Sequence, residues 1–140
     1  MRGLLIAITE PSAPEREADY HRWYDTVQIP AFLAMPGIAR VTRYHTSATQ
    51  LNPTVAVQHQ YMVLYEIEVN DMAGLSAFAD LQFATYQRGS VGNRSPGSDA
   101  YNQQTSRTAY YLQVDERVGR ADFAPESVLM VYTDPATPEQ

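Results

Sequence analysis

From Gly3 to Thr9 the chain is a continuous apolar run rich in branched residues and bounded by turn formers. Such a run suits a buried central strand better than a short helix. Pro11-Ser12-Ala13-Pro14 reads as a connector, and Glu15, Glu17 and Asp19 then place negative charge in the first turns of a helix, where its dipole favours them. Tyr20, Trp23, Tyr24, Val27 and Ala31 follow at steps of three and four, one apolar stripe of that helix. At roughly 100° per residue, His21 and Gln28 fall on one border of the stripe and Asp25 a little further round. Pro30 predicts a kink and a short second helical segment through Met35, ended by Pro36-Gly37.

Beyond that bend the pattern alternates. Ile38 to His45 predicts a strand with Ala39, Val41, Arg43 and His45 on one face and Ile38, Arg40, Thr42 and Tyr44 on the other. Thr46 to Gln58, with Asn52-Pro53, reads as a long hairpin connection. His59 to Val69 is the clearest strand, opposing Tyr61, Val63, Tyr65, Ile67 and Val69 to Gln60, Met62, Glu66 and Glu68. Asn70 or Asp71 can cap a second helix whose stripe Met72, Leu75, Ala79, Phe83 and Tyr86 holds the helical period to about Gln87. Arg88 to Ser106 has no periodicity and reads as a loop, of a length that usually serves as a lid or contact. Arg107 to Asp115 is a fourth strand, Val128 to Tyr132 an extra C-terminal edge strand, and residues 135–140 a frayed tail.

The resulting order β-α-β-β-α-β predicts one α+β domain over residues 1–134, with a ferredoxin-like antiparallel sheet under two helices. Helices on one side leave the other sheet face open, so pairing of two sheets in a homodimer is expected.

Composition narrows the chemistry. The 140 residues contain no cysteine, which removes disulfides, thiolate nucleophiles and Cys-ligated metal sites. Net charge is −6 and all basic residues are arginine, which disfavours a nucleic-acid footprint and a Schiff-base mechanism. Glu10-Pro11 ends the first apolar run too early for a signal peptide or a membrane span, so a cytoplasmic location is expected. There is no phosphate-binding glycine loop and no Gly-x-Ser-x-Gly elbow, and the three histidines lack metal-ligand spacing. No cofactor and no metal are expected.

His21 is the best acid–base candidate, since imidazole titrates near neutrality and Asp25, one turn on, is spaced to orient it. The competing reading is a solvated surface pair. Gln28 cannot titrate but can hold a carbonyl or hydroxyl, or else cap the kink. Tyr44, Tyr61, Tyr65 and Tyr86 lie on or near faces that can meet the helices, most of them as core, with Tyr65 singled out to hold a substrate oxygen. Trp23 and Tyr24 belong to the buried stripe and border the same site, Trp23 chiefly as an anchor. Arg43, beside His45 on one strand face, can bind a carboxylate or enolate or form a rim salt bridge.

The run Arg22-Trp23-Tyr24-Asp25, then Gln28-Ile29-Pro30, Met35-Pro36-Gly37 and Arg43-Tyr44, resembles the EthD-like branch of the dimeric α/β-barrel superfamily. That family's pattern is Trp-Tyr-Asp-x-x-His-Ile-Pro followed by Pro-Gly and a strand ending in Arg-Tyr, and the match covers about one fifth of the chain. The family's histidine is Gln28 here. The resemblance implies a two-fold barrel and, as one function, cofactor-independent acid–base chemistry on a small apolar or aromatic carbonyl compound such as a polyketide or lactone: a cyclase, isomerase or lyase. It equally permits a non-catalytic small-molecule-binding or accessory protein, and the loss of the histidine adds weight to that reading.

Overall fold

The computed structural model describes residues 2–50, 54 and 60–115. Four strands, β1 (Arg2–Thr9), β2 (Ile38–His45), β3 (Tyr61–Glu68) and β4 (Arg107–Leu112), form one antiparallel sheet in the order β2-β3-β1-β4. Helices α1 (Glu17–Trp23), α2 (Ile29–Leu33) and α3 (Met72–Gln87) complete the sequence of elements. With α1 and α2 joined into one helical rod, this is the ferredoxin-like α+β arrangement.

Strand β1 is central because both its neighbours can bury it. Its alternate residues Leu5, Ala7 and Thr9 are buried, as are Val63, Tyr65 and Ile67 of β3 beside them, and these form the face that meets the helices. On β2 the register shifts between Ile38 and Arg40, which brings Ile38 opposite Ile67 where strict alternation would have put Ala39. The opposite sheet face carries Leu4, Ile6, Ile8, Met62, Leu64 and Tyr44, all half-buried, and no described helix covers it.

The first helical rod departs from the sequence expectation. No break occurs at Pro30: Ile29 keeps helical angles (φ −64°, ψ −48°). The irregularity lies one turn earlier, where Tyr24–Gln28 form a π turn and the Ile29 N–H bonds to the Tyr24 carbonyl, five residues back. Pro30 has no N–H to give to that turn, so a wider turn before it absorbs the missing bond. Gly37, at φ +96°, then reverses the chain into β2.

On α3 the buried residues are Leu75, Phe78 and Thr85, whereas Met72 and Phe83 from the expected stripe are more than half exposed. Apolar side chains occur on several faces of this helix, so two stripes satisfied the period and packing chose the one through Phe78. Asp71 caps α3 by accepting from the Gly74 N–H at 2.8 Å. The Arg88–Ser106 segment holds two short 3₁₀ turns and packs into the core through Val91, Ser95, Ser98, Ala100 and Tyr101. No described helix is long and apolar enough to cross a membrane. Residues 51–53 and 55–59, the expected strand over Val128–Tyr132 and the expected tail 135–140 lie outside the described residues.

Candidate functional site

A cavity of about 280 Å³ lies between the first helical rod and α3, above the middle of the sheet. Leu5, Ala7 and Thr9 of β1, Tyr65 of β3 and Tyr110 of β4 contribute its floor. Trp23, Tyr24, Gln28 and Phe32 come from the first helical rod, and Ala79, Gln82, Phe83 and Tyr86 from α3. Val91, Gly92 and Tyr101 of the Arg88–Ser106 segment close it on another side. The size is near the lower end for small-molecule sites, ~300–1,000 Å³. Every residue lining it is formally uncharged.

Two hydrogen-bond systems give this apolar space its polarity. Gln28 accepts from the Gly92 N–H at 2.9 Å and donates to the Tyr65 phenol oxygen at 3.4 Å. Because the phenol oxygen is the acceptor, the hydroxyl hydrogen of Tyr65 stays free to donate. Thr9 Oγ1 forms the second system, bonded to the Tyr20 hydroxyl at 2.7 Å and the Tyr24 hydroxyl at 2.9 Å. Trp23 donates to Ser95 Oγ at 2.9 Å and stacks on Tyr101 with centroids 4.8 Å apart, tying the segment to the first rod. Gly92 has φ +65°, and a Cβ there would meet the Tyr86 ring at 3.3 Å, so a glycine fits the close approach.

Burial pushes the phenols of this region upward. Tyr65 and Tyr24 are raised, first by desolvation, and Tyr101 and Tyr110 are pushed up to about 12 by the same cause. At neutral pH they are hydrogen-bond donors rather than bases.

His21, Asp25 and Arg43 gather elsewhere, outside the cavity lining. Arg43 donates to His21 Nδ1 at 2.8 Å, and because guanidinium has no acceptor, that nitrogen carries no hydrogen. The other ring nitrogen faces Glu17 at 3.8 Å. Glu17 also accepts from the Tyr61 hydroxyl. Asp25 is 3.6 Å from Arg43 and makes its ion pair there, not with His21. Arg43 lies over the Tyr24 ring at 4.4 Å, and its Nε has no hydrogen-bond partner.

The candidate residues therefore divide. The structure brings Trp23, Tyr24, Gln28, Tyr65 and Tyr86 to the cavity. It separates His21 from Gln28, correcting the expectation of a shared border. A turn closed five residues on rotates each residue through a smaller angle, and over Tyr24–Gln28 this adds up to about a quarter turn. It also corrects Asp25 as the partner of His21, since Arg43 from β2 reaches between them. Tyr44 pairs opposite Met62 on the sheet face away from the helices, so it cannot enter the cavity. Sequence reasoning missed Thr9, Phe32, Gln82 and Tyr101. Thr9 and Gln82 were polar residues on otherwise apolar faces, the signal that marks them in retrospect.

No family model matches the chain, and no curated protein matches it. Among solved structures the chain is similar to an ethyl tert-butyl ether D (EthD) family protein from Bacillus halodurans C-125, at 15% identity over 81% of this chain and 99% of that one, with a TM-score of 0.48. It is similar to HapK from Hahella chejuensis at 14% identity, over 84% and 99% of the two chains, with a TM-score of 0.41. A dimeric ferredoxin-like protein of unknown function from Thermobifida fusca YX is similar at 12% identity, over 81% and 92%, with a TM-score of 0.40. These likenesses concern the fold and bring no residue roles with them.

Proposed function

We propose that the protein binds a small, uncharged, mostly apolar carbonyl compound, aromatic or of polyketide or lactone type, in the cavity between its helices. The observation that carries this reading is the free hydroxyl hydrogen of Tyr65, set by the Gln28 bond to its oxygen, inside a lining without formal charge. A carbonyl oxygen placed there receives a hydrogen bond in apolar surroundings, where such a bond is strong. Aromatic walls from Trp23, Phe32 and Tyr86 suit a flat ligand.

The binding or accessory role is favoured over proton transfer by His21, because that ring is outside the lining and one of its nitrogens is occupied by Arg43. A cyclase, isomerase or lyase reading draws on Tyr65 instead: a donor on a carbonyl oxygen stabilises the charge that develops as an enolate forms. Titration calorimetry with acetophenone tests the binding reading. Saturable one-to-one binding that weakens about tenfold in Tyr65→Phe supports it. No saturable binding, or binding indifferent to Tyr65→Phe, overturns it.

We also infer a homodimer formed through the open sheet face. Leu4, Ile6, Ile8, Met62 and Leu64 give that face an apolar centre, which a second copy buries by the same surface.

A further inference from the structure

Of the two glutamines that line the cavity, one is fully engaged and the other is not. Gln28 uses both ends of its amide, on Gly92 and Tyr65. Gln82, from the cavity-facing row Ala79, Gln82, Phe83 and Tyr86 of α3, has a buried side-chain oxygen with no hydrogen-bond partner. Among the described residues only Arg43 Nε shares that condition, and the Arg43 guanidinium lies against the Tyr24 ring, whose electrons attract it. Among the described residues no comparable contact offsets the unpaired oxygen of Gln82. A buried acceptor left unpaired is costly, and native proteins keep few of them. A retained group of this kind calls for an explanation, and a functional partner at the site supplies one.

We infer that Gln82 reads a hydroxyl on the ligand, so that the cavity selects hydroxylated aryl ketones over plain ones. This rests on the binding reading above and adds the class of compound to it. Gln28 and Tyr65 serve a carbonyl oxygen from the first helical rod and the sheet, while Gln82 stands on the other helix. A ligand with an acceptor at one end and a donor at another satisfies both sets at once. The terminal torsion of a glutamine is broad, so the amide turns its oxygen to a hydroxyl without leaving the helix row. Selectivity of this kind is strong because a ligand lacking the hydroxyl leaves the glutamine oxygen unpaired.

The test measures calorimetric affinities of acetophenone and its 2-, 3- and 4-hydroxy isomers for wild-type protein and for Gln82→Met, with melting curves to verify the fold of the variant. The 2-isomer is an internal control, since its hydroxyl bonds its own carbonyl. The expected result is a gain of about tenfold for the 3- or 4-isomer over acetophenone, no gain for the 2-isomer, and loss of the gain in Gln82→Met, read as the ratio of the two affinities within each protein. If no isomer gains in wild-type protein, or if the gain survives in Gln82→Met, Gln82 is not the reader, while binding of acetophenone itself still upholds the cavity. If acetophenone does not bind wild-type protein, the cavity reading falls and this inference falls with it. Should Gln82→Met fail to fold, the isomer series on wild-type protein alone decides: equal affinities overturn the inference, and a gain confined to the 3- or 4-isomer supports it.

Discussion

The amide oxygen of Gln28 accepts a hydrogen bond from the backbone N–H of Gly92 at 2.9 Å, joining the π turn to the segment that closes the cavity. Through the same side chain the Tyr65 phenol oxygen is held at 3.4 Å. One residue thus sets both the cover and the donor of the site. Gln28→Leu removes the acceptor and leaves the Gly92 N–H unpaired, so a destabilisation of about 1–3 kcal/mol is expected. Urea denaturation measures it, and an unchanged midpoint would show that the bond does not form in solution.

Trp23 ties the same segment down by stacking on Tyr101 and donating to Ser95. Trp23→Phe keeps a ring and loses the donor, with an expected cost near 1 kcal/mol. Trp23→Ala also opens a void and should cost about 3–5 kcal/mol. Equal costs for the two variants would mean that the stack adds nothing beyond the hydrogen bond.

His21 points away from the cavity, bonded to Arg43. His21→Ala should therefore change the affinity for acetophenone by less than about twofold. A tenfold loss by calorimetry would place the ring at the ligand after all.

Alkaline unfolding follows from the buried phenols. Tyr101 and Tyr110 are pushed up to about 12 by burial, and Tyr65 is raised further by the same cause. Unfolded phenols release their protons near pH 10, so above that pH the unfolded chain binds fewer protons than the folded one. This stability is whole below about pH 10 and is lost as pH rises through about 12. Denaturation midpoints taken across that window, with phenolate absorbance recorded in parallel, should fall together with delayed ionisation of the folded protein. Ionisation of all tyrosines near pH 10 without unfolding would contradict it.

Strong periodicity made much of the fold legible. Ile38–His45 and Met72–Gln87 were expected from alternation and helical spacing, and β2 and α3 have those bounds. The site was harder to read, because positions around a helix were taken at a uniform angle and the π turn broke that rule. Pro30 was the visible signal, and it moved the irregularity back by one turn instead of kinking the chain at itself. Long-range partners were also hidden. Spacing offered Asp25 to His21, but a strand brought Arg43 to both. Gln82 was passed over because a glutamine in a helix is ordinary until the structure shows its oxygen buried and unpaired.

Homodimerisation has its own test. Leu64 lies on the sheet face that no described helix covers, and Leu64→Arg puts a charge at the centre of the inferred interface. Sedimentation should show a dimer for wild-type protein and a monomer for the variant. A monomeric wild-type protein at micromolar concentration would remove the inference.

The most direct measurement is a crystal structure of the complex with acetophenone. The ligand is expected between the first helical rod and α3, with its ketone oxygen within hydrogen-bond distance of the Tyr65 hydroxyl and its ring against Trp23 or Phe32. Density for the ligand outside the cavity, or inside it with the oxygen turned away from Tyr65 and Gln28, would contradict the proposed site.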